Sequence, residues 1–64
     1  MNTQKVAGQI TELRKNKGLT QSELGERVGV SFQAVSKWER GESVPDVMTL
    51  MQIADLFEIS VNDL

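Results

Sequence analysis

The chain has 64 residues, with seven Lys+Arg, nine Asp+Glu and neither Cys nor His. It is sized for one small domain, has no disulfide to reinforce its core, and lacks both the usual ligands of Zn²⁺ and haem sites and the base of a Ser-His or Cys-His nucleophile. No apolar run approaches the roughly 18 residues of a membrane span and no secretory signal is recognisable, so no membrane partner and a cytoplasmic location are expected, while the net charge of −2 argues mildly against nucleic acid.

Every segment reads as helix, and no sustained period-2 alternation or hairpin signal interrupts the pattern. Val6, Ile10, Leu13 and Lys17 step by four, three and four, as along one stripe of an amphipathic helix that stops near Gly18. Arg14, Lys15 and Lys17 fall in its last turn, where they oppose the negative end of the helix dipole. Thr20-Gln21-Ser22-Glu23 is a capping box opening a second helix, with Leu24 and Val28 on its apolar face and Gly29 at its end. Ser31 caps a third helix from about Phe32 to Arg40, with Val35 and Trp38 on one face and Gly41 as terminator. After the loop Glu42–Pro45, Asp46 caps a fourth helix with Val47, Leu50, Met51, Ile53, Ala54 and Phe57 as apolar positions. Ser60 caps a fifth that reaches only Leu64. With no repeat and no linker, residues 1–64 read as a single domain.

Gln21 to Trp38 is the informative stretch. Two short helices joined by a very tight turn that opens on glycine form the helix-turn-helix pattern, spanning about residues 21–40. Gly25 falls where the second helix crosses closest, and Gly29 opens a turn in which positive φ is costly for a residue with a Cβ. Leu24, Val28, Val30, Val35 and Trp38 are the positions expected to be buried and to lock the crossing.

Gly18-Leu19-Thr20-Gln21-Ser22-Glu23-Leu24, Gly29-Val30-Ser31 and Val35-Ser36-Lys37-Trp38-Glu39-Arg40-Gly41 resemble the phage repressor/Cro-type helix-turn-helix family, also called the xenobiotic-response-element family. The resemblance extends back through Ile10, Leu13, Arg14 and Lys15, and forward through Pro45, Leu50, Ile53-Ala54, Phe57 and Ser60-Val61, so it covers essentially the whole chain. It implies an all-α fold, a compact bundle of five short helices around a central helix-turn-helix, as in lambda repressor. It also implies sequence-specific binding of double-stranded DNA, usually as a transcriptional repressor. Gly25 departs from the family's usual Ala; it keeps the steric logic at a cost of about 1 kcal/mol in helix propensity.

In that architecture the helix starting at Ser31 lies in the major groove with its first residues at the base edges. The resemblance implies base contacts from Ser31, Phe32, Gln33 and Lys37, with Ser36 nearby. Gln33 can pair with adenine N6/N7, Lys37 can donate to guanine O6/N7, and an exposed Phe32 ring could pack on a thymine methyl. Ser31 serves as a cap in any case, and Phe32 could instead pack inside the molecule. Gln21, Arg40 and Ser43 are implied phosphate contacts, with Gln21 helped by the helix dipole, and Lys15 and Lys17 add general attraction. Without DNA, Gln21 would be an ordinary first-turn residue and Arg40 a helix-terminal charge. The resemblance also pairs Arg14 with Glu39 across the first and third helices, a structural role. Trp38 belongs to the core.

Two other classes compete. A protein-interaction or antitoxin-type module could use the same fold, but it would have no reason to keep hydrogen-bond donors at Gln21, Gln33, Lys37 and Arg40. An enzyme is disfavoured, since no Gly-rich phosphate loop or paired carboxylates are recognisable. No metal, cofactor or small-molecule site is visible. A palindromic operator implies a homodimer on DNA with half-sites about 34–36 Å apart. The stop inside a capped helix favours the N-terminal part of a longer regulator over a complete minimal domain. The charge also resolves into two parts. Residues 1–40 hold all seven bases (Lys5, Arg14, Lys15, Lys17, Arg27, Lys37, Arg40) and four acids, a local +3, whereas residues 41–64 hold five acids and no base, a local −5. Such a split removes most of the objection that the mean charge raised.

Overall fold

The computed structural model describes residues 2–64. The first helix, α1 (Thr3–Asn16), starts where Asn2 Oδ1 accepts from the amides of Gln4 and Lys5 at 2.9 and 3.2 Å. Its stripe buries Val6, Ala7 and Ile10 and half-buries Leu13, and the helix closes where Gly18 takes φ +73°. There Gly18 N bonds Lys15 O and Leu19 N bonds Arg14 O, each at 3.0 Å, so two carbonyls left over by the helix are satisfied as the chain reverses. Leu19, held by that reversal, is buried.

Two eight-residue helices follow, α2 (Gln21–Val28) and α3 (Phe32–Glu39), and then α4 (Val47–Phe57). Asp46 Oδ1 accepts from Thr49 N at 2.8 Å to cap α4. That helix ends at Glu58, which holds φ +57° so that Ile59 N can reach Ala54 O at 2.9 Å. Helix α3 packs against both α1 and α2, and α4 packs against α2. The core is the cluster Val6, Ile10, Leu24, Val28, Val35, Trp38 and Ile53, with Val30, Ala34, Leu56, Phe57 and Leu64 partly buried against it. Each aliphatic member removed from water contributes about 1.5–3 kcal/mol.

One expectation is corrected. Among the described residues the bundle has four α-helices rather than five, since the segment capped by Ser60 forms a single 3₁₀ turn, Val61–Asp63. Asp63 N bonds Ser60 O at 2.9 Å and Leu64 N bonds Val61 O at 3.1 Å, both with i to i+3 spacing. Five residues close too few α-type bonds to offset the cost of starting a helix, and short runs default to the tighter turn. Gln9 Nε2 ties this turn to α1 by donating to Asp63 O at 2.5 Å. On α4, Leu50, Ile53 and Ala54 are buried, but Val47 and Met51 remain 71% and 50% exposed. Leu50, Ile53, Ala54 and Phe57, spaced as one stripe of a helix, form the inner face, and Val47 and Met51 lie beside it toward solvent. Among the described residues there is no strand, and no helix is long and apolar enough to cross a membrane.

Candidate nucleic-acid interface

The capping box of α2 is complete. Glu23 N donates to Thr20 Oγ1 at 3.0 Å, and Thr20 N donates to Glu23 Oε1 at 2.8 Å. The Thr20 amide, helped by the Thr20 hydroxyl, holds the Glu23 carboxyl below its ordinary value. At the far end Gly29 takes φ +76° and Val30 N bonds Gly25 O at 2.8 Å, which brings the turn back over α2. The close approach at Gly25 is to this turn: a Cβ there would lie 2.6 Å from the Val30 carbonyl oxygen. Ser31 then caps α3, its Oγ accepting from Ala34 N at 3.3 Å.

Helix α3 has an inner and an outer face. Val35 and Trp38 are buried in the core. Residues 32, 33, 36, 37 and 40 fall within an arc of roughly 140° on the other side. Phe32 is 51% exposed, so its ring faces solvent instead of packing inside. Gln33, Lys37 and Arg40 are exposed, and Ser36 is half-buried. Lys15 and Lys17 are exposed at the end of α1, and Ser43 is exposed in the loop after α3. Among the described residues Lys15, Lys17 and Lys37 enter no ion pair.

Two ion pairs frame the helix. On the inner edge, Arg14 Nε and Nη2 donate to Glu39 Oε2 and Oε1 at 2.7 and 2.9 Å, a two-point geometry. The Arg14 and Glu39 side chains are only 13% and 7% exposed. Arg14 Nη1 also donates to Leu19 O at 2.8 Å, which fastens the reversal after α1 to the same network. Burial alone would push the Glu39 carboxyl up, but the bonds from Arg14 and Gln21, the Arg14 charge and the Thr11 hydroxyl together hold it below its ordinary value. The bond to Glu39 raises Arg14 in turn. Gln21 is therefore engaged: its Nε2 donates to Glu39 Oε1 at 3.2 Å, leaving one amide hydrogen for another acceptor.

The second pair lies on the outer face, and the sequence reading does not contain it. Arg40 Nε donates to Glu42 Oε2 at 2.5 Å, Nη2 reaches Oε1 at 3.4 Å, and Nη1 donates to Ser36 Oγ. These side chains are 52% and 53% exposed. The pair raises Arg40 and lowers Glu42. The signal available in the sequence is an acid two positions after Arg40 across Gly41, just past a helix C-terminus where the dipole favours cations.

The helix-turn-helix family model (HTH_3) matches residues 10–64. The chain is 38% identical over 55 residues to the HTH-type transcriptional activator BcrR of Enterococcus faecalis, a match that covers 86% of the chain and 27% of that protein. It is 33% identical over 60 residues to the cryptic phage CTXphi transcriptional repressor RstR of Vibrio cholerae, covering 94% of the chain and 54% of the repressor. The chain thus spans about a quarter and about half of the length of these two relatives. In fold it is similar to the P22 c2 repressor in complex with a synthetic operator, with a TM-score of 0.84 at 33% identity over 89% of this chain and 86% of that one.

Proposed function

The chain belongs to the helix-turn-helix family, and from that premise we propose that it binds double-stranded DNA in a sequence-specific manner as a transcriptional regulator of the repressor type. The observation that carries this reading is the outer face of α3. It presents Phe32, Gln33 and Lys37 to solvent, while Val35 and Trp38 anchor the opposite face in the core.

In this reading α3 enters the major groove with its N-terminus toward the base edges. Gln33 pairs with adenine, Lys37 donates to guanine, the Phe32 ring rests on a thymine methyl, and Ser31 and Ser36 lie within reach of base or phosphate. Arg40 and Ser43 hold the DNA backbone near the end of α3. Gln21 uses its remaining amide hydrogen for a phosphate at the start of α2, so the bond to Glu39 orients it instead of consuming it. Lys15 and Lys17 add sequence-independent attraction. Phosphate contacts fix the register, and base contacts carry the sequence information. Two copies bind a palindrome with half-sites about 34–36 Å apart.

Selection of duplexes from a random pool tests this directly. Enrichment of a palindrome with that spacing is the expected result. A pool from which no sequence emerges, together with no shift of any duplex at low salt, would overturn the reading.

A further inference from the structure

The C-terminal end of α3 holds a contact that base reading does not use. Gly41 turns the chain at φ +75°, and Glu42 N then donates to Lys37 O at 3.0 Å. The positive φ is what favours glycine at this position, because a residue with a Cβ adopts it only with strain. Residue 42 is thus folded back over the last turn of α3 by backbone geometry, whatever its side chain. From that position the Glu42 carboxylate takes the side edge of the Arg40 guanidinium, through Nε at 2.5 Å and Nη2 at 3.4 Å, and Ser36 Oγ accepts from Nη1. A phosphate would use the same two-point edge. Helix stability gives no reason for an acid here, because the end of the helix dipole repels it. The pair is also about half exposed, so a competing anion can reach it.

We propose that Glu42 is an internal competitor of the DNA backbone: it occupies Arg40 in the free protein and yields it to a phosphate on binding, which lowers the affinity for DNA of every sequence alike. The proposal rests on the DNA-binding reading above. Masking of this kind leaves Gln33 and Phe32 untouched. It shifts the balance of binding from backbone charge toward base contacts and the pairing of two copies.

The test is a fluorescence-anisotropy titration of a labelled non-specific duplex over a series of salt concentrations. It compares wild type, Glu42→Gln, Arg40→Ala and the double variant Arg40→Ala/Glu42→Gln. Glu42→Gln should bind about two- to fivefold more tightly at moderate salt, the range set by an exposed ion pair. Its plot of log K against log salt should steepen by about 0.9, one further phosphate neutralised. In the Arg40→Ala background the same substitution should give no gain. Unchanged or weaker binding by Glu42→Gln would overturn the proposal and make Glu42 a positioning residue. A gain of full size without Arg40 would overturn it too, because Glu42 would then act by direct repulsion. Failure of wild type to bind any duplex at low salt is read on wild type alone; it defeats the DNA-binding reading, and the proposal with it.

Discussion

The two edges of α3 carry the same chemistry in different surroundings. On the inner edge, Arg14 and Glu39 are 13% and 7% exposed, joined at two points, and share partners with Gln21 and Leu19. On the outer face, Arg40 and Glu42 are 52% and 53% exposed and share only Ser36. A guanidinium already out of water cannot lose its carboxylate without leaving a charge stranded, so the inner pair belongs to the fold. One that stays in water exchanges partners at little cost, so the outer pair is available to a ligand. The contrast explains how one eight-residue helix can hold the fold and, in the proposed reading, also contact DNA: bonds that hold the fold lie on the side with Val35 and Trp38, and exchangeable ones lie on the side with Gln33 and Lys37.

The strongest attempt to break this contrast is truncation of the inner pair. Glu39→Ala should destabilise the domain by roughly 3–5 kcal/mol, and Arg14→Ala should do likewise. Urea denaturation followed by circular dichroism measures the effect. A loss within the range of an ordinary surface substitution would mean that the pair is no part of the fold's support. Gly25→Val probes the same seam from the turn. Its side chain meets the Val30 carbonyl oxygen, so the turn must move, at a cost of about 1–3 kcal/mol in the same denaturation assay. The outer face responds in a different assay. Gln33→Ala or Lys37→Ala should leave the melting temperature unchanged but relax base preference at one operator position by about 1–3 kcal/mol, as read by competition among single-base variants of a selected duplex.

Much of this was legible in residue order because it depends on local chemistry. The Thr20–Glu23 box, the Ser31 and Asp46 caps and the reversals at Gly18, Gly29 and Gly41 each involve groups within a few residues of one another, and all are realised. The outer stripe of α3 followed from the placement of Val35 and Trp38. What could not be read depends on where the chain returns. Val47 and Met51 look as apolar as Leu50 and Ile53; the helical spacing of Leu50, Ile53, Ala54 and Phe57 marks the inner stripe, but how far its flanks are covered depends on the elements packed against α4. The last segment has a cap and an apolar residue, but its length restricts it to a 3₁₀ turn. Residue spacing pointed to a crossing helix at Gly25, whereas the neighbour is the turn carbonyl at Val30. Glu42 passed as one acid among five in the acidic stretch, because its bond to Arg40 exists only once Gly41 has reversed the chain.

Acid titration sharpens the contrast in a single experiment. Burial pushes the Glu39 carboxyl up, but the bonds from Arg14 and Gln21 outweigh it and hold the group below the ordinary value of 4.5. A lowered folded-state value means that the stabilisation is fully present above the ordinary value and is lost as pH falls through the lowered one. Glu23 and Asp46 are lowered as well, by the backbone bonds of the caps they make. The chain has no His, so no side chain has its ordinary value between neutral pH and the carboxylate range. The melting temperature should therefore stay level from neutral pH to about pH 5 and decline below it. Glu39→Gln should start from a lower plateau and decline less. A decline that begins near pH 6.5, or one unaltered by Glu39→Gln, would contradict this assignment.

The smallest expected effect is also the most discriminating. Glu42→Gln makes the same chemical change as Glu39→Gln, removing one carboxylate from one guanidinium. In the outer pair both partners remain half in water, so Arg40 regains hydration when the carboxylate goes. The side chains also regain the freedom that the pair had restricted, and the two changes offset one another. The bond from Glu42 N to Lys37 O, which holds the chain reversal, is made by backbone and survives the substitution. The melting temperature of Glu42→Gln should match wild type within the error of a calorimetric scan, at low and high salt alike, while Glu39→Gln falls well below both. Equal losses at the two positions would show that exposure does not separate the pairs, and Arg40 would then support the fold to the same degree that Arg14 does.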